Sequence, residues 1–476
     1  MKKIYLLAIF MLCLFCSKKS VEPVPVDNRD ILEKLGDLEG IEVTEISPQN
    51  GYERQFEIDI IQPVDHSNST GAFFKQRMYL SHVNETAPMV LSTSGYSVSA
   101  RHRAELADIL NANLLAVTHR YMEESVPNPI DWQYLNIEQA AGDHHSITTL
   151  FRQIYSGPWI NWGGSKSGQT ALFHRRFYPD DVDVTMVMSA PLLFNTTDPR
   201  LENYVKNEAG NESCRNKIIQ FQRTILKNRQ EILPILESHL VSLGYGYSLG
   251  EEIILEYMVL EFPFYFWSFG SGDCSTIPDS TASVPEQLSQ LLNIVNVVEY
   301  TDVGNQYYKP VYYQLYTEIG YYRLITEHLQ DLLTALPQNP SHKVFAPNSN
   351  TISFNPAIMQ DINIWLQTAG NNIIYVYGEQ DSWTAAAVEL TGQTNAIKIV
   401  QPNANHFLRI SDLDEQQLVY ETLENWLELE LNKRGPVYRA NPGIYNNFYD
   451  LFVMPEKVKN KFQIFRKYHS VGLEPI

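Results

Sequence analysis

The first third of the chain alternates short apolar segments with segments of helical periodicity. Residues 52–62 and 74–82 alternate polar with apolar side chains, which is typical of half-buried strands. Residues 88–93 and 114–119 are apolar enough to be buried strands, and residues 101–111 between them have helical spacing. A strand, a helix and a second strand at this spacing predict a βαβ unit and therefore a parallel sheet.

The same pattern continues through the next segments. Residues 136–155 have helical periodicity, and residues 158–162 form a short apolar segment that ends in a glycine-rich turn. Residues 169–177 then predict a helix, and residues 182–190 predict another buried strand. The parallel sheet therefore extends to about residue 190.

Between residues 196 and 355 the strand pattern stops and helical periodicity dominates, as in residues 212–240. Strands resume at residues 372–377 and 396–400, and residues 415–432 form an amphipathic helix. Strands that stop, give way to helices and then restart predict an α/β fold with a doubly wound, mostly parallel sheet and an inserted helical lid.

The amino terminus has the pattern of an export signal. Lys2 and Lys3 precede an apolar run over residues 4–15, which is too short for a membrane-spanning helix. Cys16 closes that run and a polar segment follows, which predicts an exported lipoprotein anchored to a membrane through lipid on Cys16. Phe15 stands where a small residue is usual, so ordinary signal-peptide cleavage is the alternative.

These patterns divide the chain into six segments. They are a lipoprotein-type signal peptide (1–16), a tether (17–40), the first part of the α/β core (41–195), the helical lid insertion (196–355), the second part of the α/β core (356–435) and a carboxy-terminal extension of unknown role (436–476).

Composition narrows the range of partners. The formal net charge is -19, and nucleic-acid binding depends on clustered basic residues, so no nucleic-acid partner is expected. Two of the 4 cysteines belong to the predicted signal peptide. The remaining pair, Cys214 and Cys274, is expected to form one disulfide in an oxidising compartment, the alternative being two free thiols.

The glycine-rich turn has the pattern of a nucleophile elbow. Ser165 lies in Gly-Gly-Ser-Lys-Ser-Gly between a predicted strand and a predicted helix, with the small residues Gly163 and Ser167 two positions away on either side. A sharp turn of this kind raises the serine hydroxyl above the sheet and leaves no room for larger flanking residues. Ser167 departs from the usual glycine. The flanking strand and helix make an ordinary glycine-rich turn the weaker interpretation.

A serine needs a positioned base to act as a nucleophile. In α/β-hydrolases the chain order is serine, acid, histidine. Asp381 follows the strand that restarts the sheet, and His406 follows the next strand. We expect His406 to accept the Ser165 proton and Asp381 to fix the tautomer of the imidazole.

An oxyanion hole requires two backbone N–H groups that point at the developing negative charge. The N–H of Lys166, directly after the nucleophile, is expected to supply the first. The loop after the strand at 88–93 is expected to supply the second, from Tyr96 or Gly95. The alternative is that this loop is only a turn.

Longer motifs resemble a known family. Residues 163–171 (GGSKSGQTA), 174–183 (HRRFYPDDVD), 119–121 (HRY) and 143–145 (DHH) resemble the bacterial serine peptidase family of Streptomyces prolyl tri/tetrapeptidyl aminopeptidase, which is related to the prolyl-carboxypeptidase group. The similarity extends over residues 52–432. Ser167 and the carboxy-terminal extension depart from the family pattern.

The resemblance implies release of short peptides from a free amino terminus, with a preference for proline before the cleaved bond. A proline pocket favours flat aromatic walls, for which Tyr121, Trp383 and Phe407 are candidates, with ordinary core packing as the alternative. Capture of the terminal amine requires a carboxylate. Glu123, Glu124 and Glu379 are candidates, although exposed glutamates are common.

No cofactor or metal is expected. Asp143, His144 and His145 are adjacent on a predicted helix and so point in different directions, and the chain has neither an H-E-x-x-H nor a Walker motif. The leading hypothesis is a serine peptidase that acts on short peptides. An esterase or lipase with the same triad and an inactive hydrolase-fold binding protein are the alternatives.

Overall fold

The computed structural model describes residues 27–68 and 70–431. The predicted signal peptide with Cys16, residues 17–26 of the tether and residues 436–476 lie outside the described residues.

Nine strands form one sheet. They are β1 (Ile41–Ile46), β2 (Arg54–Pro63), β3 (Phe73–His82), β4 (Met89–Thr93), β5 (Asn113–Val117), β6 (Trp159–Gly164), β7 (Val184–Met188), β8 (Ile373–Gly378) and β9 (Ala396–Gln401). Their order across the sheet is β1-β2-β3-β5-β4-β6-β7-β8-β9. The pairs β1–β2, β2–β3 and β3–β5 are antiparallel, and the remaining pairs are parallel.

Twelve α-helices accompany the sheet in the described part of the chain. They are α1 (Ile31–Gly36), α2 (Glu105–Leu110), α3 (Ile137–Phe151), α4 (Lys166–Phe177), α5 (Pro199–Asn203), α6 (Glu212–Lys227), α7 (Arg229–Leu243), α8 (Glu251–Ser268), α9 (Val284–Ile294), α10 (Asp302–Gln314), α11 (Ala357–Thr368) and α12 (Gln416–Leu427).

Helices cover both faces of the sheet. Leu106 of α2 and Val419 of α12 pack in one apolar cluster with Val90 of β4. Ile147 of α3 packs on the opposite face with Leu91, the next residue along β4. Successive strand residues point to opposite faces, so the central strands are buried on both sides and are continuously apolar. The chain has the α/β-hydrolase fold, with a doubly wound and mostly parallel sheet.

The residues between β7 and β8 are largely helical and contain α5 to α11, of which α5 to α10 lie within residues 196–355. Helix α8 is buried along most of its length, because α6, α7 and α9 pack around it. Cys214 at the start of α6 and Cys274 form a disulfide with their Cα atoms 5.6 Å apart. The disulfide therefore joins two parts of this helical insertion. Among the described helices, no helix is both long enough and apolar enough to cross a membrane.

The sheet order reverses around β4. Strand β4 lies between β5 and β6, so the connections leaving β4 and β6 diverge at their carboxyl ends. In open α/β sheets, ligands bind in the crevice at such a switch point. The loop after β4 begins at Ser94, and the turn after β6 contains Ser165, so the fold places both predicted catalytic segments at this crevice.

Candidate active site

Ser165 occupies a strained turn between β6 and α4. Its backbone has φ 55° and ψ -131°, a conformation that non-glycine residues rarely adopt and that costs free energy. The Ser165 N–H donates to the carbonyl of Met188 at the end of β7 (2.8 Å), which fixes the turn against the sheet. The strain and this hydrogen bond are those of a nucleophile elbow.

The small residues beside Ser165 have separate roles. A Cβ atom on Gly163 would lie 2.4 Å from the backbone carbonyl carbon of Ser167, so no side chain fits there. Ser167 stands where a nucleophile elbow usually has glycine, and its hydroxyl accepts a hydrogen bond from the N–H of Gly95 (3.0 Å). The serine therefore adds a link between the elbow and the loop after β4.

Asp381 and His406 form a buried pair at the same edge of the sheet. Nδ1 of His406 lies 2.6 Å from Oδ2 of Asp381, and the two residues are 7% and 0% exposed. Asp381 follows β8 and its other oxygen accepts the N–H of Trp383 (3.1 Å). The N–H of His406, on the loop after β9, donates to the carbonyl of Ser268 at the end of α8 (2.9 Å). The insertion therefore helps to hold the histidine loop.

The second ring nitrogen of His406 is available for proton transfer. Nε2 is buried and has no hydrogen-bond partner among the described residues. Because the carboxylate of Asp381 holds the proton on Nδ1, Nε2 presents its lone pair. A hydrogen bond between a catalytic serine and its base often tightens only when substrate binds.

Gly95 and Tyr96, the two candidates for the second N–H donor of the oxyanion hole, differ in their contacts. The N–H of Gly95 is occupied by Ser167. The N–H of Tyr96 donates to the hydroxyl of Ser94 two residues earlier (2.9 Å), and Tyr96 lines the pocket above the nucleophile. Lys166, the predicted first donor, is the first residue of α4, so its N–H has no acceptor within the helix. We retain Lys166 and Tyr96 as the proposed donors and assign Gly95 to the support of the loop.

A pocket with an empty volume of about 690 Å³ opens above Ser165. Most of its walls come from the helical insertion. Its aromatic lining residues are Tyr96, Tyr265, Phe269, Tyr308, Tyr312, Tyr321, Tyr322 and Trp383. Phe269 also packs edge-on against the ring of His406, with the ring centroids 5.1 Å apart, so one aromatic wall adjoins the predicted base.

Glu299 places a carboxyl group in the wall of this pocket. The side chain is buried and accepts a hydrogen bond from the hydroxyl of Tyr265 (2.8 Å). Burial raises the pKa of Glu299 to about 8, and the nearby carboxylate of Glu261 adds to the increase, whereas Tyr265 opposes it. No basic side chain among the described residues forms an ion pair with Glu299. A positively charged ligand would supply the missing countercharge.

The structure places most of the predicted substrate-binding residues elsewhere. Trp383 lines the pocket. Tyr121 is buried in another contact, donating its hydroxyl to the carbonyl of Asp131 and stacking with Trp132. Glu123 and Glu124 are exposed on a loop outside the pocket lining. The pocket geometry therefore does not support Tyr121, Glu123 or Glu124 as substrate contacts.

Two further candidates lie beside the triad but outside the pocket lining. The carboxylate of Glu379 accepts the N–H of Asn403 (3.0 Å) and so braces the loop that leads to His406. Phe407 packs against Phe269 and His406. Both residues support the catalytic loop rather than contact the ligand space.

Glu299 is not among the predicted carboxylates, because all of the predicted ones lie next to a recognised motif in the sequence. The signal was present in the sequence. Glu299 is the one charged residue between positions 287 and 300, in an otherwise apolar and amide-rich stretch. A lone acid in such a stretch is expected to be buried, and buried acids are commonly functional.

An elbow serine and a buried aspartate–histidine pair, each following a strand of one parallel sheet, are the features of α/β-hydrolase-type serine hydrolases. The model of the PS-10 peptidase S37 family matches residues 21–427. The chain belongs to this family and is a serine peptidase.

The chain is similar to several known proteins. The chain is 30% identical over 402 residues to prolyl tri/tetrapeptidyl aminopeptidase of Streptomyces mobaraensis, covering 83% of this chain and 84% of the relative. It is also 30% identical over 149 residues to the thymus-specific serine protease of Mus musculus, covering 28% and 29% of the two chains. Among solved structures, the proline iminopeptidase of Mycobacterium smegmatis matches with 10% identity and a TM-score of 0.36, over 78% of this chain and 99% of that one.

Proposed function

We propose that the protein is an exported aminopeptidase that releases tripeptides or tetrapeptides, preferably ending in proline, from free amino termini. The observation that supports this proposal most strongly is the presence of Glu299 and Ser165 in one pocket. In this proposal Glu299 binds the terminal ammonium group while Ser165 attacks the peptide bond that is cut. The proposed partners are therefore short peptides with an uncapped amino terminus.

The environment of Glu299 favours an ammonium group over a neutral ligand end. An ionised carboxylate in a buried site has a high free energy unless a cation accompanies it. A bound ammonium supplies that cation and lowers the pKa of the carboxyl group from about 8. A blocked amino terminus leaves the carboxyl group without a partner, so the same residue selects against internal segments of long chains.

Aromatic walls support a preference for proline. Phe269 lines the pocket and packs against the ring of His406, so it lies beside the site of bond cleavage. Trp383, two residues after Asp381, lines the pocket as well. Flat aromatic surfaces pack well against the rigid pyrrolidine ring of proline.

The proposed reaction has two steps. His406 Nε2 accepts the proton of the Ser165 hydroxyl as the oxygen bonds to the substrate carbonyl carbon, and the N–H groups of Lys166 and Tyr96 bind the oxyanion. The proton then passes to the leaving amine as the peptide bond breaks, which leaves an ester on Ser165. In the second step His406 accepts a proton from a water molecule as its oxygen bonds to the ester carbon, and then returns that proton to the Ser165 oxygen as the ester bond breaks and the short peptide leaves.

The enclosure of the pocket supports short products. Leu315, Tyr312 and Tyr308, from the end of α10 and the segment after it, form part of the wall above Ser165. In this proposal the ammonium group of the bound peptide is held by Glu299 in the same pocket as Ser165, which limits the number of residues before the cut bond.

An exported location fits the disulfide between Cys214 and Cys274, because disulfides persist mainly in oxidising compartments. We therefore propose that the predicted signal directs the chain across the membrane, with lipid on Cys16 as its anchor. Labelling with a radioactive fatty acid that is lost in a Cys16→Ala variant tests the anchor. Equal labelling of both proteins would contradict it.

Digestion of matched peptide pools tests the proposed activity. One pool has free amino termini and the other carries acetylated termini on the same sequences. We expect cuts three or four residues from the free end in the first pool and at least tenfold slower cleavage in the second. Cuts at internal positions, at equal rates in both pools, would contradict the aminopeptidase proposal. Hydrolysis of nitrophenyl esters without cleavage of proline-containing peptide amides would favour an esterase.

A further inference from the structure

Lys166 has a second contact with the oxyanion region through its side chain. Its ammonium nitrogen donates to the carbonyl of Gly95 (2.9 Å) and to Oε1 of Gln314, the last residue of α10 (2.8 Å). It also lies 5.8 Å from the centre of the Tyr96 ring. The Lys166 side chain therefore connects α4, which begins at Lys166, with the loop after β4 and with the helical insertion.

Lys166 is buried, at 5% exposure, and its ammonium group contacts the Gly95 carbonyl and the Gln314 amide oxygen, with no carboxylate ion pair among residues 27–68 and 70–431. Burial lowers the pKa of Lys166 to about 7. A buried lysine without a countercharge is costly to fold. Both the charged and the neutral amine have enough N–H bonds for the two acceptors, so the contacts hold in either protonation state.

The carbonyl of Gly95 and the N–H of Tyr96 belong to one peptide unit. A trans peptide is planar, and its C=O and N–H point in opposite directions. A donor that holds the Gly95 carbonyl therefore also sets the direction of the Tyr96 N–H. It also polarises the peptide unit, which makes that N–H a stronger donor.

Gly95 is held from both sides. Ser167 accepts its N–H, Lys166 donates to its carbonyl, and a Cβ atom on Gly95 would lie 2.6 Å from Cγ of Lys166. Only glycine allows the loop to approach the lysine this closely. In the resting structure the Tyr96 N–H donates to the hydroxyl of Ser94 (2.9 Å). A negatively charged oxygen is the stronger acceptor and displaces that neutral partner.

We propose that the Lys166 side chain is a positioning residue, which aims the Tyr96 N–H at the oxyanion and links that peptide to the helical insertion through Gln314. The insertion then does more than form the pocket wall. The side chain of Gln314 holds the Lys166 ammonium group in place for its hydrogen bond to the Gly95 carbonyl. If the insertion moves at Gln314, this hydrogen bond is lost and the oxyanion of the transition state is bound less tightly.

Inhibitor affinities of three variants test this role. A peptide aldehyde forms a tetrahedral adduct with an oxyanion, whereas the peptide acid product does not. In Lys166→Met we expect kcat and aldehyde affinity to fall together by about 10- to 100-fold, less than the loss when an oxyanion donor is removed outright. Product affinity and KM should stay within about twofold, because ground-state contacts are unchanged. Gln314→Leu should shift the same two quantities by about three- to tenfold.

Lys309→Met, on the same helix, is the matched control, because the Lys309 ammonium donates to the side chain of Gln306 and not to the Gly95 loop, and it should change none of these values. The decisive quantity is the ratio of aldehyde affinity to product affinity. An unchanged ratio in Lys166→Met overturns the proposal, whatever happens to the unfolding temperature. If Lys166→Met does not fold, an unchanged ratio in Gln314→Leu overturns the link to the insertion. Neither result depends on Glu299, so failure here leaves the aminopeptidase proposal intact.

Discussion

Nδ1 of His406 lies 2.6 Å from Oδ2 of Asp381, in a contact that is closed to solvent on both sides. The two residues come from consecutive strand ends and are brought to the edge of the sheet that contains the Ser165 turn. The pair fixes which nitrogen of the imidazole is free to accept a proton.

Replacement of this carboxylate by an amide should disable the base without removing the nucleophile. In Asp381→Asn the imidazole is no longer held in the tautomer that leaves Nε2 unprotonated, so kcat should fall by about 10⁴-fold. Steady-state kinetics with a proline-containing peptide amide measure this fall. Asp412→Asn, at the surface, is the control and should retain full activity. A loss below tenfold in Asp381→Asn would exclude this acid.

The two glycines before Ser165 should respond very differently to alanine. A Cβ atom on Gly163 meets backbone atoms of Ser167 at 2.4 Å, whereas one on Gly164 has its nearest neighbour, the Met188 carbonyl oxygen, at 3.7 Å. Gly163→Ala should therefore distort the elbow and lower the rate of labelling by a fluorophosphonate probe at least 100-fold. Gly164→Ala should label within a few-fold of wild type. Equal labelling of the two variants would contradict the elbow geometry.

The preference for substrates with a free amino terminus should depend on pH, because it requires an ionised Glu299 carboxylate and a protonated substrate amine. Below pH 8 the carboxyl group is protonated in the empty pocket and must lose that proton to bind an ammonium. Above pH 8 the substrate α-amine, with a pKa of roughly 8, loses its charge. The ratio of kcat/KM for a free peptide to that for its acetylated form should therefore rise from pH 6 to about pH 8 and fall above it. Taking the ratio cancels any effect of pH on the chemical step that is common to both substrates.

In Glu299→Gln the same ratio should be close to one and should not vary between pH 6 and pH 8. Glu123→Gln removes an exposed carboxylate that lies outside the pocket and is the matched control. It should keep the wild-type profile. A flat profile in wild type, or a retained profile in Glu299→Gln, would remove Glu299 from substrate binding.

The disulfide should contribute to stability but not to catalysis. It closes a separation of 60 residues within the helical insertion, which corresponds to about 4 kcal/mol of unfolding free energy in the chain-entropy model. Denaturant unfolding of the Cys214→Ser, Cys274→Ser double variant measures this loss. Neither cysteine lines the pocket, so kcat at 25 °C should stay within twofold. Equal stability with and without the disulfide would contradict the assigned role.

Most of the sheet could be predicted from the sequence because its strands are buried on both faces and flanked by helices of clear periodicity. The observed β4 and β6 begin within one residue of the predicted segments. The sequence of helix α8 does not show helical periodicity, because a helix that is buried on all sides has no alternation of apolar and polar faces. Strand β1, at the sheet edge and next to the predicted tether, was assigned to no element.

The chemistry divides in the same way. Ser165, Asp381 and His406 could be placed because each lies at a strand end, where chain order determines spatial neighbours. The pocket wall could not be predicted. Glu299 and Tyr265 line the same pocket as Ser165 only because the insertion packs over the sheet. Residues next to a motif in sequence, such as Glu123, are not its neighbours in the pocket.

The central claim is that Ser165 is acylated by the amino-terminal residues of a peptide. Acid quenching during turnover, followed by mass spectrometry of the Ser165 segment, measures this directly. The account predicts an added mass equal to the first three or four residues of the substrate, attached to Ser165 and absent when the substrate is acetylated. An adduct on another residue, an adduct from an internal segment, or equal trapping of the acetylated peptide would contradict it.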